Sequence, residues 1–286
     1  MRLALGTVQF GLAYGIAGHG EVVPEQEVRA ILEDAADRGV STLDTASAYG
    51  DIEERLGRLA TGLPFGIVSK VPAIPDELPP HRAAEFALHA AQRSLERLGP
   101  ALRGLMLHRG TDLLGARGEV LAPSLQAWCR TQGIMFGASC YAPESAAALA
   151  STHGIALTQL PGNALDQRVG RESAGLAGVE VHLRSAFLQG LLLMPYDLAC
   201  RKLPQAIHVL KAWHDSCLAA DMSPLEMALS VVKSFRAVSA VVVGVETLAQ
   251  WREIAQAWDR TVPIAATELH CTDPRIIDPR LWNSPG

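Results

Sequence analysis

Short apolar runs that read as strands alternate along the chain with stretches whose apolar residues recur at helical spacing. The runs cover residues 3–6, 42–44, 66–70, 105–108, 133–139, 156–160, 180–185 and 238–244. Between the first two, P-E-Q-E-V-R-A-I-L-E-D-A-A-D-R-G places Val28, Ile31, Leu32 and Ala35 at i, i+3, i+4 and i+7, with Gly39 as the C-terminal stop. Residues 81–98 repeat the pattern with Ala84, Ala87, Leu88, Ala91, Leu95 and Leu98, closed by Gly99. S-P-L-E at 223–226 is an N-cap serine, a proline at the first helical position and a capping-box glutamate, and it predicts a helix through Ser234. A helix after nearly every strand predicts a parallel sheet. With 286 residues and no linker or composition break, the expected fold is α/β: a single (β/α)8 TIM barrel, eight-stranded and parallel, over residues 1–286. The Pro-rich run V-P-A-I-P-D-E-L-P-P, 71–80, reads as a βα loop of that barrel.

In such a barrel, chemistry gathers at the C-terminal ends of the strands. Four polar residues fall in that register. Asp44 ends the second run, Tyr49 follows it in T-L-D-T-A-S-A-Y-G-D, Lys70 ends G-I-V-S-K, and His108 ends L-R-G-L-M-L-H. Each has a bland explanation taken alone: a turn cap for Asp44, an amphipathic filler for Tyr49, a snorkelling rim lysine for Lys70, a satisfied core histidine for His108. Their joint occurrence at the same end of three successive strands points to a site.

Composition narrows the partners. The net charge of −5 comes without a long basic run, so nucleic acid and membrane surfaces have no electrostatic support. No window approaches eighteen uninterrupted apolar residues, and the start M-R-L-A-L-G-T-V-Q-F-G does not read as a signal peptide. Five cysteines without a C-x-x-C pair read as reduced, mostly buried thiols of a cytoplasmic protein. Nine histidines include no H-E-x-x-H or other metal-ligand spacing, so no metal is expected.

L-G-T-V-Q-F-G near the start, L-D-T-A-S-A-Y-G, V-S-K, L-M-L-H, F-G-A-S, the strand holding Gln159 and V-V-V-G-V-E-T-L-A-Q-W-R-E together resemble the aldo-keto reductase superfamily along almost the whole chain. The resemblance implies reduction of an aldehyde or ketone by hydride from a nicotinamide cofactor, with Asp44, Tyr49, Lys70 and His108 as the catalytic set. Tyr49 would supply the proton, the Lys70 ammonium would lower its pKa, Asp44 would hold Lys70, and His108 would orient the carbonyl as a neutral donor. Ser139 and Gln159 match positions that hold the nicotinamide carboxamide. Gly244, Val245, Thr247, Gln250 and Glu253 match the segment that holds the adenylate half, and Gly6, Thr7, Arg184, Ser185 and Glu246 complete the expected cofactor set.

Thr247 reads as the cap of a helix whose free N–H groups would face a phosphate. G-H-G-E-V-V at 18–23 lacks the third glycine and the preceding strand of a Rossmann fingerprint. Three departures from the family pattern stand out. Arg184 takes the place of an aromatic residue on the nicotinamide. Gln250 and Glu246 stand where arginines serve NADP in relatives, and Cys140 stands where an asparagine usually follows the serine. The family points to NADPH and these residues to NADH or dual use, so the expected preference is under about tenfold.

The motifs L-G-T-V-Q-F-G-x-x-Y-G-I and R-S-x-F-L-Q-G resemble a bacterial subgroup linked with carbohydrate metabolism. Aromatic residues make up only 5% of the chain, which disfavours a greasy pocket and favours a polar, sugar-like carbonyl. The expected partner is a small-molecule carbonyl, and the resemblance implies a monomer or weak homo-oligomer. The tail from His270 is expected either to cover the barrel mouth or to run as a surface strap. Two other functions compete: a non-catalytic nicotinamide-binding regulator on the same fold, and a lyase or isomerase using Lys70 or His108 as base.

Overall fold

The computed structural model describes residues 1–16 and 21–282, so Gly18 and Gly20 lie outside the described residues. The strands are β1 (Arg2–Gly6), β2 (Thr42–Asp44), β3 (Gly66–Val71), β4 (Leu102–Leu107), β5 (Met135–Ser139), β6 (Leu157–Pro161), β7 (Glu180–Arg184) and β8 (Ala240–Gly244). They form a closed barrel in chain order, every pair parallel, and β1 pairs with β8 to shut it. The expected (β/α)8 architecture is observed.

Strand alternation sorts the side chains. Leu3 and Leu5, Ile67 and Val71, and Leu105 and Leu107 join the large core between strands and helices. Ala4 and Val242, and Val68 and Met106, belong to two small separate clusters inside the barrel. The next inward position above each of these is Gly6, Gly244, Lys70 and His108. The same period puts Asp44 above Thr42, Gln159 above Leu157, and Arg184 above His182. Apolar alternation thus aims the polar residues at one end of the barrel.

The helices named here are α1 (Glu25–Asp37), α2 (Ile52–Leu59), α3 (Pro80–Leu98), α4 (Gly115–Gln132), α5 (Pro143–His153), α6 (Ile207–Ala219), α7 (Pro224–Lys233) and α8 (Leu248–Arg260). In α1, Val28, Ile31, Leu32 and Ala35 are all buried as their spacing predicts, and Gly39 turns the chain at φ +79°. The capping box of α7 forms in both directions between Ser223 and Glu226.

Differences from the sequence reading fall at boundaries and in one connection. Gly133 is a left-handed cap of α4 at φ +67°, so β5 starts at Met135. Val238 closes a turn onto the Phe235 carbonyl, which delays β8 to Ala240. Between β6 and β7 only the short turns Arg168–Arg171 and Ala174–Leu176 occur in place of a full helix. The tail packs beside the mouth, with Cys271 N–H on the Leu165 carbonyl and Arg280 over Tyr141, and none of its described residues lines the cavity described below. Cys129, Cys140 and Cys217 are buried, and Cys200 and Cys271 are partly so. Among the described residues no helix is long and apolar enough to cross a membrane.

Candidate active site

Lys70 is 1% exposed, and its ammonium meets three acceptors. It donates to Oδ1 and Oδ2 of Asp44 and to the Thr45 carbonyl, each at 2.8 Å. The Gln159 amide donates to Asp44 Oδ1 at 2.7 Å, so one carboxylate gathers the ends of β2, β3 and β6. Burial pulls Lys70 below the usual lysine range, and Asp44 opposes that pull.

The loop after β2 carries Tyr49 and is pinned to β3, because Ser47 bonds the Lys70 carbonyl through both its N–H and its hydroxyl. From below, Gly11 presses on this loop: a Cβ there would sit 1.9 Å from the Tyr49 carbonyl oxygen. The Tyr49 ring lies 5.7 Å from Lys70 Nζ and meets the His108 ring edge to face at 5.8 Å between centroids. The four expected catalytic residues are therefore brought together.

Their electrostatics differ from expectation in one respect. Tyr49 is pushed above the usual tyrosine range, first by burial and then by the Asp44 and Tyr14 charges. The Lys70 hydrogens are committed to Asp44 and Thr45, so the pair presents little net charge to the phenol. The cation that does act to lower the tyrosine is Arg184. His108 is depressed to about 4, first by burial and then by Lys70. It is a neutral imidazole at neutral pH, as expected of a donor.

Beside this cluster opens a cavity of about 650 Å³. Asp44, Tyr49, Gln159, Gly6 and Thr7 reach its wall, as do Arg184 and Ser185. Its other wall is formed by Gly244, Val245, Glu246, Gln250 and Glu253. Lys70, His108, Ser139 and Thr247 do not line it. Cys140, also buried, has its thiol pushed up to about 11 by desolvation and is a poor nucleophile.

Thr247 caps α8 through the Gln250 N–H, as expected. The expectation of free N–H groups there is narrowed, because those of Leu248 and Gln250 are already engaged. Leu248 N–H donates to Glu27 Oε1 at 2.6 Å, Gln250 N–H to Thr247 Oγ1 at 3.1 Å, and Glu246 N–H to Gln250 Oε1 at 2.8 Å. Glu27 comes from α1, and no sequence pattern links positions 221 residues apart. Sequence reasoning also missed Gln9. Its Oε1 is buried without a partner, lines the cavity, and stands where a Cβ on Gly244 would come within 2.4 Å. The loop after β7 bends through three non-glycine residues in the left-handed region, Ser185 (φ +62°), Leu188 (+49°) and Gln189 (+54°). Such strain is held in place only by surrounding structure and clusters at binding sites.

A nucleotide fits this cavity on three counts. Gly6 and Gly244 lower its wall, the Gln9 oxygen lacks a donor, and polar side chains from several strands line it.

Residues 2–108 match the Aldo/keto reductase family, and over that part of the chain the resemblance read from the sequence holds. No curated protein matches the chain. Among solved structures, the chain is similar to an aldo-keto reductase of Bacillus halodurans in its holo form: 19% identity, TM-score 0.73, covering 94% of this chain and 89% of that one. It is also similar to a Pseudomonas aeruginosa protein assigned to the aldo-keto reductases: 22% identity, TM-score 0.66, covering 90% and 88%. At these identities the likeness is one of fold.

Proposed function

We propose that this barrel, alike to the aldo-keto reductases in sequence over its first strands and in fold throughout, is a single-domain cytoplasmic NAD(P)H-dependent reductase of aldehydes or ketones. The observation that carries the reading is the convergence of Tyr49, His108 and the Asp44–Lys70 pair beside a cavity suited to a nucleotide.

A bound reduced nicotinamide supplies the hydride to the carbonyl carbon. The chain supplies the rest. Tyr49, protonated across the neutral range, gives its hydroxyl proton to the carbonyl oxygen as that oxygen gains charge. An alkoxide is more basic than a phenolate, so the transfer runs downhill even from a tyrosine with a raised pKa. The neutral His108 adds a hydrogen bond to the same oxygen. Arg184, whose charge reaches the ring, stabilises the phenolate until it is reprotonated, and the Asp44–Lys70 pair holds the floor of the site. Gln159 and Ser139 would hold the carboxamide, and Gly244, Val245 and Thr247 the adenylate half.

Tyr49→Phe is expected to lower carbonyl reduction by about 10²–10⁴-fold while dinucleotide affinity is retained. Unchanged turnover would remove Tyr49 as proton donor. Tight dinucleotide binding by the unaltered chain without turnover of any carbonyl would move the reading to a non-catalytic regulator. Screening small aldehydes and aldoses with both cofactors is the direct test of the sugar-like preference.

For the cofactor, the family favours NADPH. Glu246, Gln250 and Glu253 on the wall and Glu27 on the α8 N-terminus place negative and neutral groups where a 2′-phosphate would need positive ones. The preference for NADPH is therefore expected to be under about tenfold, or about 1.4 kcal/mol. Titration of both cofactors, followed by fluorescence, checks this, and a hundredfold preference either way defeats it.

A further inference from the structure

Arg184 ends β7 on the inward face, and its side chain lines the cavity. The guanidinium lies over the Tyr141 ring, 4.4 Å from its centroid, and Arg280 lies over the same ring at 3.3 Å. Arg280 is neutralised by the Asp278 carboxylate, which also accepts its backbone N–H. Arg184 has no such partner. Among the described residues, no carboxylate lies in ion-pair contact with it and no acceptor takes a guanidinium N–H, although its charge reaches the Asp278 carboxylate that Arg280 holds.

Five N–H donors in a half-buried guanidinium, unused by the protein, are an unfilled demand for an anion. The surrounding charges sharpen it. Lys70 is paired with Asp44, while Tyr49 and His108 are uncharged at neutral pH, so Arg184 is the net charge beside the reacting groups. Its field is felt at Tyr49, Lys70 and His108 alike. The acidic wall residues, Glu246 and Glu253, belong to the connection after β8 and to α8.

We propose that Arg184 selects a carbonyl substrate bearing a carboxylate, held by the guanidinium fork while the carbonyl faces Tyr49 and His108. This rests on the reductase reading above and names its substrate class. The planar fork matches a carboxylate through two parallel N–H···O bonds, which an ammonium could not reproduce. Tyr141 is a positioning residue: it supports the guanidinium face and is itself engaged by Arg280. The reaction balances with the carboxylate as a spectator. The carbonyl carbon gains the hydride and its electron pair, the C=O π bond opens, and the oxygen takes the Tyr49 proton. The nicotinamide is oxidised, and the phenolate recovers its proton from water.

The first test is binding to the protein loaded with oxidised nicotinamide dinucleotide, titrated calorimetrically with butanoate and with the uncharged butanamide. Butanoate is expected to bind at least about tenfold more tightly, about 1.4 kcal/mol. That advantage is lost in Arg184→Gln and partly kept in Arg184→Lys, with dinucleotide affinity measured in each variant. Equal affinities in the unaltered protein, or an advantage that survives Arg184→Gln, overturn the proposal. Inorganic phosphate displacing butanoate at lower concentration than butanoate itself requires would also overturn it, by assigning the site to phosphate. The second test compares kcat/KM for 4-oxobutanoate and butanal, with at least about a tenfold advantage expected for the acid. Turnover of both without that advantage removes the proposal and leaves the reductase reading standing. No turnover of either removes the reductase reading, and the butanoate titration still decides the anion site.

Discussion

Burial acts on Tyr49 and His108 with opposite signs and one result. It raises the tyrosine and lowers the histidine, because in both cases the charged form is the one that loses water. At neutral pH both are therefore uncharged, with their rings in edge-to-face contact. The histidine makes this measurable. Its folded value is about 4 and its ordinary value 6.5, so the unfolded chain binds more protons between the two. The stability it contributes is complete above about 6.5 and is lost as the pH falls towards 4. His108→Asn is expected to flatten the decline of stability between pH 7 and 5 by on the order of 2 kcal/mol, read as urea midpoints at the two pH values. A decline as steep as that of the unaltered protein would show that His108 is not buried as a neutral ring. Asp44, Lys70 and His108 were legible in the sequence because each closes an apolar run. The sign of the Tyr49 shift was not, because it depends on how much water the fold removes and on which acceptors already hold the lysine.

At the scale of elements, the α8 N-terminus shows what spacing conveys and what it omits. The cap residue Thr247 was legible from its place before an apolar helix, as was the Ser223–Glu226 box of α7. That α1 would lend Glu27 to the Leu248 N–H was not, since only barrel closure brings the first helix beside the last. A carboxylate at a helix N-terminus is stabilised by the helix dipole and repels a second anion. Glu27→Gln keeps the hydrogen-bonding shape and removes the charge. It is expected to shift the ratio of NADPH to NADH dissociation constants about fivefold towards NADPH, on the order of 1 kcal/mol. An unchanged ratio would place the 2′-phosphate beyond the reach of Glu27. The missing helix between β6 and β7 escaped the sequence for a related reason. Turns such as Arg168–Arg171 carry the chain across without periodicity, and the chain after α8 packs against this connection, with Cys271 N–H on the Leu165 carbonyl and the Gln167 amide donating to the Ala266 carbonyl.

For the molecule as a whole, closure of eight strands in chain order follows from alternating strands and helices with no break, and the sequence carried that directly. The tightness of the interior is subtler. Gly137 on β5 faces β6 so closely that a Cβ would lie 2.1 Å from the Leu157 carbonyl oxygen, a backbone atom that cannot step aside. Gly137→Ala is expected to destabilise the barrel by about 3 kcal/mol, measured by urea unfolding. A loss below about 0.5 kcal/mol would show that the two strands can part without cost to their neighbours.

The Gly11–Tyr49 contact has a comparable reach. Because the root of the first connection rests against the backbone that carries the hydroxyl, these two parts of the rim are one mechanical piece. New substrates can be accommodated by altering that connection only past Leu12, out where Tyr14 stands in solvent. An insertion nearer the strand would tilt Tyr49 before it ever met a different molecule.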